Sequence, residues 1–239
     1  TKIHAQSGCT PGQFAETPEG KLKIAEAQKA LDALRLAEIE YFKLAKQARL
    51  EALIIKAKKN NENPNNKQID IKALGSSVEI NYNISDPRVG AIVEHEIRAQ
   101  EKRVNDAWDS TGKWEQAGLY SVRTDQYNVI KSALQNKKVI SVLTTAGGKT
   151  STIGPLIMQI GQNLYGRTGI FIAKDGQRTE AFNTMSGIFG NQLYEFRLQK
   201  RKNINSITGE ITWTDVSLTE QWAEMQNYRY IVSEMGDPV

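Results

Sequence analysis

The chain is short of several things that usually point to a function. It has a single cysteine, Cys9, in a polar terminal stretch, so no internal disulfide can form and a cytoplasmic location is expected. No apolar run reaches the length of a membrane span, and the N-terminus has no signal-peptide core, so no transmembrane segment is expected. There are two histidines, His4 and His95, with no partner at metal-ligand spacing, which predicts a surface or packing role for His95. An excess of one charge is also missing. The net charge is +4, and basic and acidic side chains nearly balance on both sides of Tyr120, so charge alone gives no reason to expect nucleic acid. The one dense basic cluster, Arg197, Lys200, Arg201 and Lys202, reads as a solvated helix end, with a binding patch as the alternative. The first residue is not methionine, which suggests a processed product or a fragment.

What is present describes a somewhat polar globular chain, 39% apolar and 24% charged, long enough for one sizeable core plus an extension or for two small domains. Residues 1–16 lack periodicity and read as a flexible arm. Thr17-Pro18-Glu19 then has the order of a helix start: a hydroxyl cap, proline at the first position and an acid in the first turn. Alanine and apolar residues recur at helical spacing from Leu22 to Leu53, and the run closes on Lys56, Lys58, Lys59 and Asn60. Such a helix, over 17–60, is roughly 60 Å long and has to protrude, pair with another helix or lie across a partner.

The asparagine-rich stretch after it, within 61–77, reads as a linker without packing potential. In 78–119, Val78–Tyr82 alternates like a short strand, and Asp86-Pro87 starts a second helix to about Trp108 with Val89, Ile92, Val93, Ile97 and Val104 on one face. Trp108 and Trp114 read as buried anchors between helices, with stacking on a base as the alternative. From residue 120 helix and strand alternate. Helices are expected at 125–135, 150–164, 177–189 and 218–226, strands at 139–143, 169–173 and 228–232, and a hairpin around 207–213. That alternation predicts a parallel sheet with helices on both faces.

Lys138 to Thr150 is the most informative stretch. The β-branched run Val139-Ile-Ser-Val-Leu143 leads into Thr144-Thr145-Ala146-Gly147-Gly148, then Lys149, Thr150 and Ser151. A phosphate-binding loop needs that order: glycines admit backbone N–H groups to phosphate oxygens, Lys149 brings a point charge, and the Thr150 hydroxyl can hold Mg²⁺. The helix expected to start there adds its positive dipole end. A glycine-rich strand-to-helix turn with a merely exposed lysine would share the pattern. Ala146, whose Cβ disfavours the geometry phosphates need, leaves room for a decayed loop that keeps the fold without the nucleotide.

Arg123-Thr-Asp-Gln126 lies one helix before this loop. The pair resembles the superfamily 2 helicase and translocase ATPases, which carry a similar Arg-x-x-Gln and a loop of the form Thr-Gly-x-Gly-Lys-Thr. Ala146 stands here at the family's first glycine. The stretch Gly169–Lys174 followed by Asp175, with the helix from Arg178, resembles SecA-type translocase ATPases most, and the helicase Pro-Thr-Arg-Glu signature is absent. The resemblance covers about residues 120–239. It implies an α/β fold, an incomplete RecA-like P-loop domain behind a long protruding helical N-terminal region. It also implies ATP or ADP with Mg²⁺ as cofactors, held by Gln126 on adenine and by Thr145, Ala146, Gly147, Gly148, Lys149, Thr150 and Ser151, with Thr150 on the metal.

Hydrolysis in that family needs an Asp-Glu pair at a later strand end. This sequence offers only Ser233-Glu234, in a segment, Tyr230–Gly236, similar to an earlier family strand. No catalytic residue is therefore assigned, and the chain alone is expected not to turn over ATP. The implied partners are the remainder of a motor chain and a polypeptide or protein bound through the long helix, with nucleic acid disfavoured. Two other readings compete: a non-enzymatic helical scaffold with a degenerate loop, and a helicase fragment.

Overall fold

Thr17, Pro18 and Glu19 do in the structure what their order predicts. The computed structural model describes residues 11–74, 80–112, 118–135, 148–174, 176–196, 200–206 and 208–234. These residues divide into two units, one holding 11–74 and 81–120, the other Ile80 and the residues from Ser121 onward. In the first unit Thr17 caps helix α2, Pro18–Asn61, its hydroxyl accepting from the Gly20 N–H at 3.0 Å while Lys58 and Lys59 occupy the last turn. The arm expected before it is helical in part: α1, Pro11–Glu16, folds back on the first turn of α2. Gly20 makes that contact possible, since a Cβ there would stand 1.8 Å from the Phe14 carbonyl oxygen.

The asparagine stretch is an organised turn rather than a free linker. Asn61 takes the Ile69 N–H and returns its amide to the Ile69 carbonyl, both at 2.8 Å, and Asn60 donates to the Lys67 carbonyl. Short amide side chains satisfy backbone groups that a less polar loop would leave to water. The turn leads into one short helical turn, α3, Ile71–Leu74. The strand expected from Val78 does not form at Ile80–Tyr82; Val78 and Glu79 lie outside the described residues. Asn83 and Ile84 instead donate to the carbonyls two residues back, both at 2.9 Å, which curls the backbone away from a ladder.

Helix α4, Pro87–Thr111, starts on Asp86, whose carboxylate accepts from the Arg88 and Val89 N–H groups, and stops at left-handed Gly112. It packs along α2, burying Ile92, Val93 and Ile97 while Ile39 is buried on α2. The seam between the two helices is otherwise ionic. Lys46 pairs with buried Glu101 at 2.7 Å, Arg49 with Asp109 at 3.1 Å, and Lys43 with Glu94 at 3.6 Å, while Arg98 of α4 holds Glu94 from its own helix at 2.7 Å. Trp108 packs edge-on against Tyr120, with ring centres 5.6 Å apart, rather than between two helices; Trp114 lies outside the described residues.

In the second unit α5 covers Thr124–Gln135, a π turn covers Lys149–Ile153, and α6 continues it over Gly154–Tyr165. Then come β1, Gly169–Ala173; α7, Arg178–Phe189; β2, Leu193–Glu195; β3, Lys200–Ile204; β4, Ile211–Asp215; α8, Leu218–Met225; and β5, Tyr230–Glu234. The sheet runs β1-β5-β2 with all strands parallel, Gly169 opposite Tyr230 and Leu193 opposite Tyr230 on the other side. One face packs Met158 of α6 and Ala181, Met185 and Phe189 of α7 against Ala173, Leu193, Tyr230 and Val232. The other packs Met225 of α8 against Tyr194 and Ile231. Helices thus cover both faces, as the alternation predicts.

The strand expected over Val139–Leu143 lies outside the described residues. Strand β2 has too few residues for a sequence pattern to show. The basic cluster differs from expectation: Lys200, Arg201 and Lys202 stand on β3, which pairs antiparallel with β4 as a separate hairpin, and Arg197 lies outside the described residues. Cross-strand pairing with Trp213, Thr214 and Asp215 holds this segment extended. No helix among the described residues is long and apolar enough to cross a membrane.

His95 lies in the ionic seam, its Nε2 2.7 Å from the Glu38 carboxylate and its Nδ1 3.1 Å from that of Glu96. A neutral imidazole has one N–H and serves one carboxylate; the imidazolium serves both. The hydrogen bond to Glu96 raises the pKa of His95 above its ordinary value; burial opposes the rise, and Glu38 adds to it. Its stabilisation is then complete below the unfolded pKa, about 6.5, and disappears as pH rises through the higher folded value. Urea midpoints of the whole chain should fall as the pH climbs above about 6.5, and His95→Gln should remove that part of the slope. Equal slopes in the two proteins would refute the bridge.

Candidate functional site

Gly148 sits at φ 77° and ψ 29°, in the left-handed region where a side chain is strained. It opens the π turn, and its carbonyl accepts from both Thr152 and Ile153 at 2.9 Å. Gly154 then donates to the Lys149 carbonyl, which widens the first turn before α6 tightens. Pro155, which the sequence places early in this helix, is buried at its start, where a missing N–H does no harm.

Two close approaches hold the turn beside the sheet. A Cβ on Gly154 would meet the Phe171 ring of β1 at 2.8 Å, and one on Gly169 would meet the Met158 side chain of α6 at 2.9 Å. The helix therefore lies almost on the strand. Beside this contact, at the carboxyl end of β1, opens a cleft of about 600 Å³. In parallel α/β sheets ligands bind at that end of the strands. Gly148, Lys149, Thr150 and Ser151 form one wall; Ala173 and Lys174 at the exit of β1, with Gln177, Glu180 and Thr184 of α7, form the other.

The structure thus brings Gly148, Lys149, Thr150 and Ser151 to one cleft. Thr145, Ala146 and Gly147 lie outside the described residues. Gln126 is placed beside the loop. Its Oε1 accepts from the Arg123 N–H at 3.0 Å, as a residue in the first turn of α5 can for the residue before the helix. The side chain is 4% exposed, and its Nε2 lies 2.7 Å from where a Gly148 Cβ would stand. Arg123 also pairs with Asp125 at 3.0 Å and holds that carboxyl below the usual carboxylate range.

Sequence reasoning assigned no role to Lys174, Gln177, Glu180 or Thr184. The signal was available in the expected strand 169–173, whose exit in a parallel sheet marks the cleft. Thr152 was missed as well; it is buried, and its hydroxyl lies 3.3 Å from the same Gly148 Cβ position. The Ser233 position is fully buried within β5. Among the described residues no three His, Cys, Asp or Glu side chains cluster as metal ligands. A left-handed glycine, a lysine and hydroxyls stand together at the start of a helical segment.

If Gln126 fills the space a Cβ needs, Gly148→Ala should destabilise the chain by about 1–3 kcal/mol, from positive φ together with the clash. Gln126→Ala should relieve the clash alone, so the double variant should lie at least about 0.5 kcal/mol above the sum of the single ones. Additive denaturation midpoints would mean that the two residues do not meet. No protein-family model, curated protein or solved structure matches the chain.

Proposed function

We propose that the second unit binds a magnesium–nucleotide complex, ATP or ADP, and that the chain is an N-terminal piece of a SecA-like or superfamily 2 motor, a translocase of polypeptide. The observation that carries the reading is the cleft at the exit of a parallel strand, walled by Gly148, Lys149 and Thr150 at the start of a helical segment. Gly147 and Gly148 would let backbone N–H groups reach the phosphates, Lys149 would neutralise a phosphate oxygen, and the Thr150 hydroxyl would face the metal. Gln126 would recognise the adenine, which requires it to leave the buried position beside Gly148. A bound triphosphate would supply the energy of its terminal phosphoanhydride. The sequence holds no Asp-Glu pair to orient an attacking water, so binding without turnover is expected.

Calorimetric titration of the chain with Mg-ADP should show saturable binding, weakened at least about tenfold by Lys149→Ala, with no phosphate released from Mg-ATP. Absence of binding, or equal binding by both proteins, would sink the nucleotide reading.

The scaffold reading keeps one observation in its favour. Leu22, Leu34, Leu36, Leu44 and Ile55 on α2 are each more than half exposed, an apolar surface that a partner helix could cover. Sedimentation velocity of the whole chain separates the readings: a concentration-dependent dimer broken by Leu34→Glu supports the scaffold, and a monomer throughout opposes it. The helicase reading would need salt-sensitive binding of single strands, which the nearly balanced charge disfavours.

A further inference from the structure

Lys149 is not the only cation of the cleft. Lys174, the residue immediately after β1, lines the opposite wall, and Glu180 of α7 lines it too. Among the described residues neither Lys174 nor Glu180 is paired with an ion of opposite charge within 4.0 Å. A single phosphate needs one lysine. Two lysines on separate segments, facing one cavity of about 600 Å³, suit an anion with charge spread along its length. Glu180 works in the other direction: its carboxylate repels bare phosphate, and only a divalent cation carried with the ligand turns that repulsion into attraction.

We propose that Lys174 is a second phosphate-binding residue of this cleft, holding the terminal phosphate of a nucleoside triphosphate while Lys149 holds the phosphate before it, and that Glu180 restricts the site to the metal complex. The proposal rests on the nucleotide reading and adds a specificity to it: triphosphate over diphosphate, magnesium-bound over bare. The division of labour follows from chain position: Lys149 stands in the turn proposed to cradle the phosphate common to both ligands, and Lys174 stands on a separate segment of the same cleft, the one assigned to the additional phosphate. Both side chains act through charge, so exchange for a neutral residue of similar length removes the interaction and leaves the wall in place.

The test is titration of the full chain with Mg-ADP and with the magnesium complex of a non-hydrolysable ATP analogue, repeated with EDTA, for the wild type, Lys174→Gln, Lys174→Arg, Glu180→Gln and Lys149→Ala. Lys174→Gln should weaken the triphosphate analogue about tenfold and Mg-ADP less than about twofold, as loss of one charge-assisted contact predicts. Lys174→Arg should restore most of the loss. Glu180→Gln should tighten binding of the bare analogue in EDTA. Lys149→Ala should weaken both ligands together. Equal affinities of Lys174→Gln and wild type for the analogue, or parallel losses for the two ligands, would overturn the role of Lys174 and leave the nucleotide reading standing. Failure of the wild type to bind either ligand would overturn both. Lys174 is exposed, so thermal midpoints should match across its variants and exclude unfolding as the cause of any loss.

Discussion

The second unit depends on how closely helix α6 approaches strand β1. Neither Gly154 nor Gly169 leaves room for a Cβ, because Phe171 and Met158 already occupy those positions. Larger residues would lift the helix from the strand, and the π turn at its start would move away from the strand exit. As it stands, the turn and the exit of β1 face each other across the cleft, with the helix start on one side and α7 on the other. The parallel pairing of β1 with β5 fixes the strand from its other edge. Packing of uncharged residues therefore decides where the charged ones stand.

The first unit is held differently. An α-helical pair usually joins along an apolar seam; α2 and α4 add to a few buried apolar residues the pairs Lys46–Glu101 and Arg49–Asp109 and His95 between Glu38 and Glu96. Ion pairs contribute little net stability, the buried partners because desolvation offsets their attraction and the exposed ones because water and salt screen it. Set at fixed places along both helices, they favour the register in which each carboxylate faces a cation. Alanine and charged residues accordingly occupy positions of α2 where a leucine seam would otherwise run.

Much of the fold was legible in the sequence, for reasons that differ from element to element. Thr17-Pro18 and Asp86-Pro87 are local signals, and they mark helix starts to within a residue or so; the second helix runs past its expected end at about Trp108 to Thr111, where left-handed Gly112 stops it. Strand 169–173 and helix 178–189 were legible because each has a full period of apolar residues. The asparagine turn was misread as a linker because amide side chains bonding to backbone and amide side chains bonding to water share one composition. The basic cluster was misread because Lys-Arg-Lys suits a helix end as well as a strand, and only the partner strand β4 distinguishes them.

The candidate site divides along the same line. Local order alone determined that Gly148, Lys149 and Thr150 would open a helix, since a left-handed glycine and a helical start are properties of adjacent residues. Tertiary structure decided the rest. It inserted β5 between β1 and β2, set Gln126 against Gly148, and brought Lys174 and Glu180 to the cleft that Lys149 faces. These meetings join residues well separated along the chain. Their register comes from the packing of whole elements, which no short stretch of sequence encodes.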